Sequence, residues 1–378
     1  MKKNSTIQKI ARIAVVAAAV GGLFAFGACS KKANNDAAGG DAPSAAPTAA
    51  EKYGSDTLKL YLPGAYTSDD LIPNFQKQFG VRVIVENFDS NEMMYAKVQA
   101  GDKYDVLIPS DYMIERLLKQ NMLQKLDRSM IPNASELTDA VLNLSYDPKN
   151  EYSMPYFWGN VGIVYNTEKV DPEDIKAGYE IFQNEKYAGK IYWYDSERDS
   201  FMIALKVLGY SMNTDNKDEI NKAYEWLLKM HDTVKPTYVT DEVIDNMSNG
   251  LRDIAIVYSG DAATILKANK KMSYIAPEQG TNIWVDAMVI PANAENPKLA
   301  NEFINYALSY EAALGNTQAV GYASANAKVL DEMTKEGGEY ATNAAYRPRA
   351  GFAKDEIFHD NDVIRKMISE LWIKVKAH

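Results

Sequence analysis

The chain has 378 residues, 46% of them hydrophobic and 24% charged, which is typical of a globular protein long enough for two domains. Its formal net charge of −10 argues against nucleic acid as a partner, because phosphate binding requires a basic surface. The single cysteine, Cys29, excludes a disulfide within the chain, and no two of the three histidines have metal-ligand spacing, so we expect no metal and no cofactor.

Residues 1–28 have the pattern of a secretory signal peptide. Four basic residues and no acidic residue precede an apolar run, IAVVAAAVGGLFAFGAC, which stops at Cys29. The run is close to the minimum length of a membrane span, so an uncleaved anchor stays open as an alternative. The letters FGAC resemble the lipobox of bacterial lipoproteins, which implies a lipid anchor on Cys29 once residues 1–28 are removed.

Residues 29–56 are predicted to form a flexible tether that begins at the lipidated Cys29. The segment is rich in Ala, Gly, Pro, Ser and Asn and has almost no large apolar side chain. It cannot bury enough surface to offset the entropy lost on ordering. Such a tether would hold the folded part of the chain away from the membrane.

The next 65 residues alternate between strand and helix patterns. The predicted order is strand (57–64), helix (68–80), strand (81–88), helix (90–101), strand (104–110) and helix (111–121). This β-α-β-α-β order predicts a parallel sheet with right-handed crossovers.

A second region of the same kind follows. Its predicted elements are a strand (159–166), a strand and helix (190–210), a helix (218–233), a strand and helix (253–269), a strand (283–291), a helix with its continuation (298–321) and a final helix (361–377). The chain contains no glycine-rich phosphate loop. We therefore expect an α/β protein without a nucleotide site.

Ligands of open α/β sheets bind beyond the carboxyl ends of the strands. The residues predicted at those ends are mostly aromatic or acidic: Tyr66, Ser110, Asp111, Tyr112, Asp195, Asp199, Tyr258, Asp261, Trp284 and Asp286. Trp284 and Asp286 lie two apart on one strand and so point to the same side, where a carboxylate needs a partner or water. Carboxylates beside aromatic faces favour a cation with an apolar body.

Structural explanations stay open for several of these residues. Asp111 and Asp199 each stand at the start of a helix and could be N-terminal caps. Asp195 could be a turn residue, and Tyr258 could pack in the core. Arg198 is the only basic residue among the strand ends.

Five runs resemble the spermidine/putrescine-binding periplasmic proteins of polyamine ABC transporters. They are SNEMMYAKVQAG, YDVLIPSDY, YSMPYFWG, SFMIALKVLGYSMNT and IWVDAMVIPANAEN, and the likeness extends over residues 57–378. It implies the two-lobed, type II periplasmic-binding-protein fold, in which each lobe is a mainly parallel sheet flanked by helices. Lobe 1 would comprise residues 57–159 and 285–330, and lobe 2 would comprise residues 160–284 and 331–378.

The resemblance also implies a site and partners. Trp284 and Asp286 match a Trp-x-Asp pair whose carboxylate binds an amine, Asp199 and Asp261 match acidic positions, and Tyr258 stands in place of a Trp. Tyr66, Ser110, Tyr112 and Tyr322 match polar and aromatic contacts, whereas Pro63 and Gly64 replace a Trp and its hydroxyl neighbour. The implied protein is a monomer without catalytic residues that captures putrescine and/or spermidine on the periplasmic side of a bacterial membrane and delivers it to an ABC permease.

Three other functions are weighed against this one. A hydrolase would need a nucleophile with a base or paired catalytic carboxylates, and the sequence offers no such set. The same fold could hold an amino acid, a quaternary amine or ferric iron, although an amino acid would require Arg198 and the adjacent tyrosines of ferric sites are absent. A sensor of polyamines or other organic cations is indistinguishable by sequence from a transport protein.

Overall fold

The computed structural model describes residues 47–378. The predicted signal peptide, Cys29 and the first part of the predicted tether lie outside this range. No helix of residues 47–378 is long and apolar enough to cross a membrane.

The end of the predicted tether is folded, which corrects that prediction. Helix α1 (Ala49–Tyr53) begins at Thr48, whose side chain accepts a hydrogen bond from the Glu51 backbone. Tyr53, the one large apolar side chain of the tether, is 5% exposed and packs edge-on against Phe79. Its hydroxyl donates to Glu302 at 3.0 Å. The capped first turn and the buried Tyr53 ring thus order the last residues of a segment whose composition predicted no structure.

The described chain contains ten strands. In chain order they are β1 (Thr57–Pro63), β2 (Arg82–Phe88), β3 (Val106–Leu107), β4 (Ser153–Asn166), β5 (Ile191–Tyr194), β6 (Thr237–Val239), β7 (Ile254–Tyr258), β8 (Met272–Ile275), β9 (Ile283–Val289) and β10 (Ala323–Ser324). Every strand predicted from the sequence is present, and the short strands β6, β8 and β10 were not predicted.

Twelve helices follow α1 in the described chain. They are α2 (Leu71–Phe79), α3 (Asn91–Gln99), α4 (Asp111–Lys119), α5 (Pro172–Lys176), α6 (Glu197–Val207), α7 (Lys217–Val234), α8 (Glu242–Ser248), α9 (Ser259–Ala268), α10 (Pro297–Ala307), α11 (Tyr310–Val320), α12 (Ala327–Thr334) and α13 (Asp362–Lys376). Short 3-10 helices lie between β3 and β4 and between α5 and β5.

The strands form one sheet in the order β2-β1-β3-β9-β4-β7-β5-β6, with β8 and β10 also paired to β4. The outer strands pair in parallel, as β1 does with β2 and β3, and as β5 does with β6 and β7. Each of the two central strands is antiparallel to its neighbours: β9 is antiparallel to β3 and β4, and β4 is antiparallel to β9 and β7. Strand β4 is 14 residues long, so its first part pairs with β9 and its second part with β7.

Two hydrophobic cores lie against this sheet because successive side chains of a strand point to opposite faces. Leu60 and Leu62 of β1 belong to one core and Tyr61 to the other. In β7, Val257 belongs to the first core and Ile256 to the second. Strands buried on both faces read as continuous apolar runs, which is why the sequence showed them clearly.

The C-terminal helix is anchored by a carboxylate that the sequence had placed among the strand ends. Asp195 accepts hydrogen bonds from Trp372 Nε1 at 2.8 Å and from Lys376 at 2.7 Å, both on α13. It therefore holds α13 against α6 and α7, and its carboxylate is paired within the protein.

Candidate functional site

The ends of β1, β3, β5 and β7 meet β9 at a cavity of about 260 Å³. Of the ten predicted ligand-binding residues, nine line this cavity: Tyr66, Ser110, Asp111, Tyr112, Asp199, Tyr258, Trp284, Asp286 and Tyr322. The tenth, Asp261, does not. Five further residues complete the wall: Pro63, Ser196, Arg198, Asn282 and Phe358. The ligand-binding role of each residue stays a prediction, but the structure does bring the predicted side chains together.

Strand β9 presents Trp284 and Asp286 to the cavity from the same side. Asp286 accepts a hydrogen bond from the Tyr66 hydroxyl, and Tyr66 is itself held by Tyr156, whose hydroxyl donates to the Tyr66 carbonyl at 3.0 Å. Burial raises the pKa of Asp286, while the Ser110 and Tyr66 hydroxyls oppose that rise. A cation beside Asp286 would remove the cost of its buried charge.

Asp111 lines the cavity and also connects two elements of the fold. It opens α4, and its carboxylate accepts backbone hydrogen bonds from Tyr112 at 2.6 Å and from Val285 at 3.0 Å. The second contact joins α4 to β9. With 2% of its surface exposed, Asp111 has its pKa raised by burial to about 7. Ser110 occupies the N-terminal cap position of α4, so the capping explanation is wrong for Asp111, whose carboxylate instead joins α4 to β9 and lines the cavity.

Asp199, which also lines the cavity, accepts hydrogen bonds from three side chains. Tyr258 and Ser196 each donate to one oxygen at 2.7 Å, and Asn282 Nδ2 donates to the other at 3.1 Å. Ser196 caps α6 by accepting from the Asp199 backbone at 3.4 Å. These donors fix the carboxylate in the first turn of the helix, where the macrodipole also favours a negative charge.

Three aromatic rings of the cavity wall pack against one another. Trp284 packs edge-on against Tyr322 and Tyr258, with ring centroids 5.3 Å and 6.3 Å away. Gly159 makes this arrangement possible, because a Cβ there would lie 2.3 Å from the Trp284 ring. The rings supply apolar surface and π faces to whatever occupies the cavity.

Asp261 lies behind Tyr322 instead of in the cavity wall, contrary to the predicted direct contact. In the first turn of α9, its carboxylate accepts from the Tyr322 hydroxyl at 3.2 Å and is 8% exposed. Burial raises the pKa of Asp261 to about 7. Its role in the structure is to hold the ring that does line the cavity.

Stability without ligand should fall as pH rises, because Asp261 binds a proton more tightly in the folded chain. Its pKa is about 7 in the fold against about 4 for an unfolded Asp, so its contribution is full below pH ~4 and is lost as pH rises through ~7. The expected slope is at most about 1.4 kcal/mol per pH unit in this window. Urea unfolding at several pH values measures this pH dependence of the free energy of unfolding, with Asp261→Asn as the control. The free energy of unfolding of the variant should depend less on pH than that of the wild type. The same pH dependence in both proteins would contradict the raised pKa of Asp261.

Arg198 brings a positive charge into the cavity wall. Its guanidinium carbon lies 3.4 Å from the centroid of the Tyr112 ring and 5.3 Å from that of Phe358. The Tyr112 hydroxyl donates to Glu92 at 3.1 Å, which fixes the ring beneath the guanidinium. Arg198 thus stacks on two aromatic rings and faces the same space as the carboxylates.

Of the further wall residues, Asn282 could have been predicted from the sequence pattern of β9, whereas Phe358 lies outside that pattern. Asn282 precedes Trp284 by two positions, as Trp284 precedes Asp286, so period-two alternation would have found it. Phe358 is not part of this alternation. It reaches the cavity because Glu356 is fixed by the Met212 backbone at 2.9 Å and by Lys206 at 3.1 Å.

Comparison with known proteins identifies the family. The pattern of the bacterial extracellular solute-binding proteins matches residues 70–348. A spermidine/putrescine-binding periplasmic protein of Salmonella typhimurium is 32% identical over 333 residues, which cover 87% of this chain and 94% of that relative. The chain belongs to the bacterial extracellular solute-binding proteins. The family resemblance predicted from the sequence is confirmed.

Solved structures of extracellular solute-binding proteins have the same fold. A spermidine/putrescine ABC transporter protein from Listeria monocytogenes is 35% identical, with a TM-score of 0.76 over 85% of this chain and 99% of its own. The spermidine/putrescine ABC transporter substrate-binding protein of Streptococcus pneumoniae is 33% identical, with a TM-score of 0.74 over the same shares. The predicted type II periplasmic-binding-protein fold is thus confirmed. As a member of this family, the chain is a solute-binding protein and not an enzyme.

Proposed function

We propose that this solute-binding protein captures polyamines, putrescine and/or spermidine, in the cavity and delivers them to the permease of an ABC transporter. The observation that carries the proposal is the convergence of Asp111, Asp199 and Asp286 with Trp284, Tyr258 and Tyr322 on one cavity. The wall has three carboxyl groups against one guanidinium, and a cationic ligand favours the ionised form of these carboxyl groups. The names of the relatives point to the same ligands.

The mechanism is binding without chemistry. Ammonium groups of the ligand pair with Asp286 at one wall and Asp199 at the other, through charge-assisted hydrogen bonds. The rings of Trp284, Tyr258 and Tyr322 cover the methylene chain and add cation–π attraction of roughly 0.5–2 kcal/mol each. Spacing between the carboxylates then selects the spacing between the amines.

Two lobes would close around the ligand and create the surface that the permease binds. Lobe 1 is assigned to residues 57–159 and 285–330 and lobe 2 to residues 160–284 and 331–378, so the boundary at 330 falls within α12 (Ala327–Thr334). Strands β4 and β9 connect the lobes. Small-angle X-ray scattering of the monomer should show a smaller radius of gyration with putrescine, and an unchanged radius would argue against closure.

Lipidation of Cys29 would place the protein on the periplasmic side of the membrane, with residues 1–28 removed. The support is the lipobox resemblance of the sequence before Cys29. Mass spectrometry of the mature N-terminus should find a diacylglyceryl-modified peptide that starts at Cys29. An unmodified chain that keeps residues 1–28 would contradict this part of the proposal.

Calorimetry of the purified protein tests the ligand assignment. Putrescine and spermidine should bind, and butylamine, with the same carbon chain as putrescine and one charge, should bind at least about tenfold more weakly, which is about 1.4 kcal/mol. Binding should release protons near pH 6, because the buried carboxylates have raised pKa values that a cation lowers. Absence of heat with both polyamines would contradict the proposed function.

A second candidate ligand is an amino acid whose ammonium and carboxylate groups lie at opposite ends of its chain. The position of Arg198 favours it. The guanidinium lies in the cavity wall, where a ligand carboxylate could form a bidentate pair with it. Putrescine and γ-aminobutyrate differ in one end group on similar chains, so they form a matched pair of ligands. Tighter binding of γ-aminobutyrate in calorimetry would replace the polyamine assignment with this one.

A further inference from the structure

Asn282 is a buried amide in the cavity wall whose two ends have different surroundings. It stands directly before β9 and is 3% exposed. Its Nδ2 donates to Asp199 Oδ1 at 3.1 Å. Because an ionised carboxylate only accepts hydrogen bonds, this contact fixes which end of the amide is nitrogen. The oxygen, Oδ1, then faces away from Asp199 and has no hydrogen-bond partner within residues 47–378.

An unpaired acceptor buried beside a cavity implies a donor that the protein itself does not supply. The indole nitrogen of Trp284 also lacks a partner in the described chain, but it is a donor and cannot pair with an ammonium group. Asn282 Oδ1 is therefore the unpaired wall atom that suits a cationic ligand. The missing donor belongs to a ligand or to a water molecule, and these two alternatives can be separated by experiment.

The hydrogen bonds that Asp199 already accepts explain why an ammonium group would need a second acceptor beside it. Tyr258, Ser196 and Asn282 already donate to its carboxylate, which has about four acceptor positions. An ammonium group that approaches Asp199 has three N–H donors and finds little accepting capacity left there. A neutral amide oxygen next to the carboxylate supplies that capacity without another buried charge.

We propose that Asn282 is a ligand-binding residue that distinguishes primary ammonium groups from alkylated ones, a proposal that rests on the proposed function. Its Oδ1 accepts one N–H of the ammonium group that Asp199 attracts, while its Nδ2 keeps that carboxylate in place. A tertiary ammonium has a single N–H, which goes to the charged acceptor, so the contact with Asn282 is lost. The ligands selected at this wall are therefore amines with unsubstituted ends.

The test is a calorimetric comparison of the full-length protein with Asn282→Leu, a variant of similar volume that lacks the amide. Putrescine and tetramethylputrescine, with two methyl groups on each nitrogen, are the paired ligands, and both are symmetric, so their orientation does not matter. The variant should bind putrescine at least about tenfold more weakly than the wild type, and tetramethylputrescine less than about threefold more weakly. Equal losses for both ligands, or no loss for putrescine, would overturn the proposal.

Tyr258→Phe is the matched control, because it removes another donor to Asp199 and keeps the ring. It should change the affinity for both ligands by the same factor. A crystal structure of the wild-type complex gives an independent readout: a putrescine nitrogen is expected about 3 Å from Asn282 Oδ1, and a water in that place would refute the role. If the wild type binds no polyamine at all, the proposed function fails first, and the two failures are distinguishable.

Discussion

Asp286→Asn is expected to weaken the binding of putrescine and spermidine about 100-fold. Truncating one partner of a buried charge pair costs about 2–5 kcal/mol in binding free energy, because the remaining charge loses its counterion. Asp286 fits this case, since it faces the cavity from β9 and already has its pKa raised by burial. An Asn has the same shape and still accepts from the Tyr66 hydroxyl, so the change isolates the charge.

Calorimetry measures the affinities, and Asp195→Asn is the matched control. Asp195 also follows a strand, but it is bonded to Trp372 and Lys376 of α13 and lies outside the cavity wall. The control should bind polyamines like the wild type and unfold more easily. The Asp286 variant should show the reverse, with weaker binding and undiminished stability without ligand. Wild-type affinity in the Asp286 variant would remove this residue from the site.

Gly260→Ala is expected to destabilise the fold by about 1–3 kcal/mol and to weaken polyamine binding at least about tenfold. A Cβ at this position would lie 1.6 Å from Cδ1 of Tyr322, far inside van der Waals contact. The ring cannot simply turn away, because its hydroxyl bonds Asp261 and its face packs edge-on with Trp284. The backbone at Gly260 is not in the left-handed region, so the expected effect is steric.

Gly315→Ala separates crowding from the general effect of replacing a helical glycine. Gly315 lies within α11, and the nearest atom to a Cβ there is Ser68 Oγ at 3.6 Å, an ordinary contact. The free energy of unfolding of that variant should be about 0.5–1 kcal/mol higher than that of the wild type, because alanine favours the helix. Urea unfolding gives the stabilities and calorimetry the affinities. Equal stability changes in the two variants would mean that Tyr322 does not pack on Gly260.

Much of the fold followed from local patterns in the sequence. The apolar runs of β1 and β7, the capped helix α3 and the alternation of β9 are each encoded within a few residues, since buried strands and capped helices depend on neighbours along the chain. The same alternation places Trp284 and Asp286 on one face of β9. Strand ends also identified Tyr66, Asp111 and Asp199 correctly as walls of one cavity.

Long-range packing decided the rest. Tyr53 ordered part of a segment whose composition predicted a tether, because its partner Phe79 is distant in sequence from it. Asp261 and Asp195 share the strand-end position of Asp199, yet one supports Tyr322 and the other anchors α13. A carboxylate near a strand end is visible in the sequence. The donor that bonds this carboxylate comes from a distant part of the chain, and only the tertiary structure brings the two groups together.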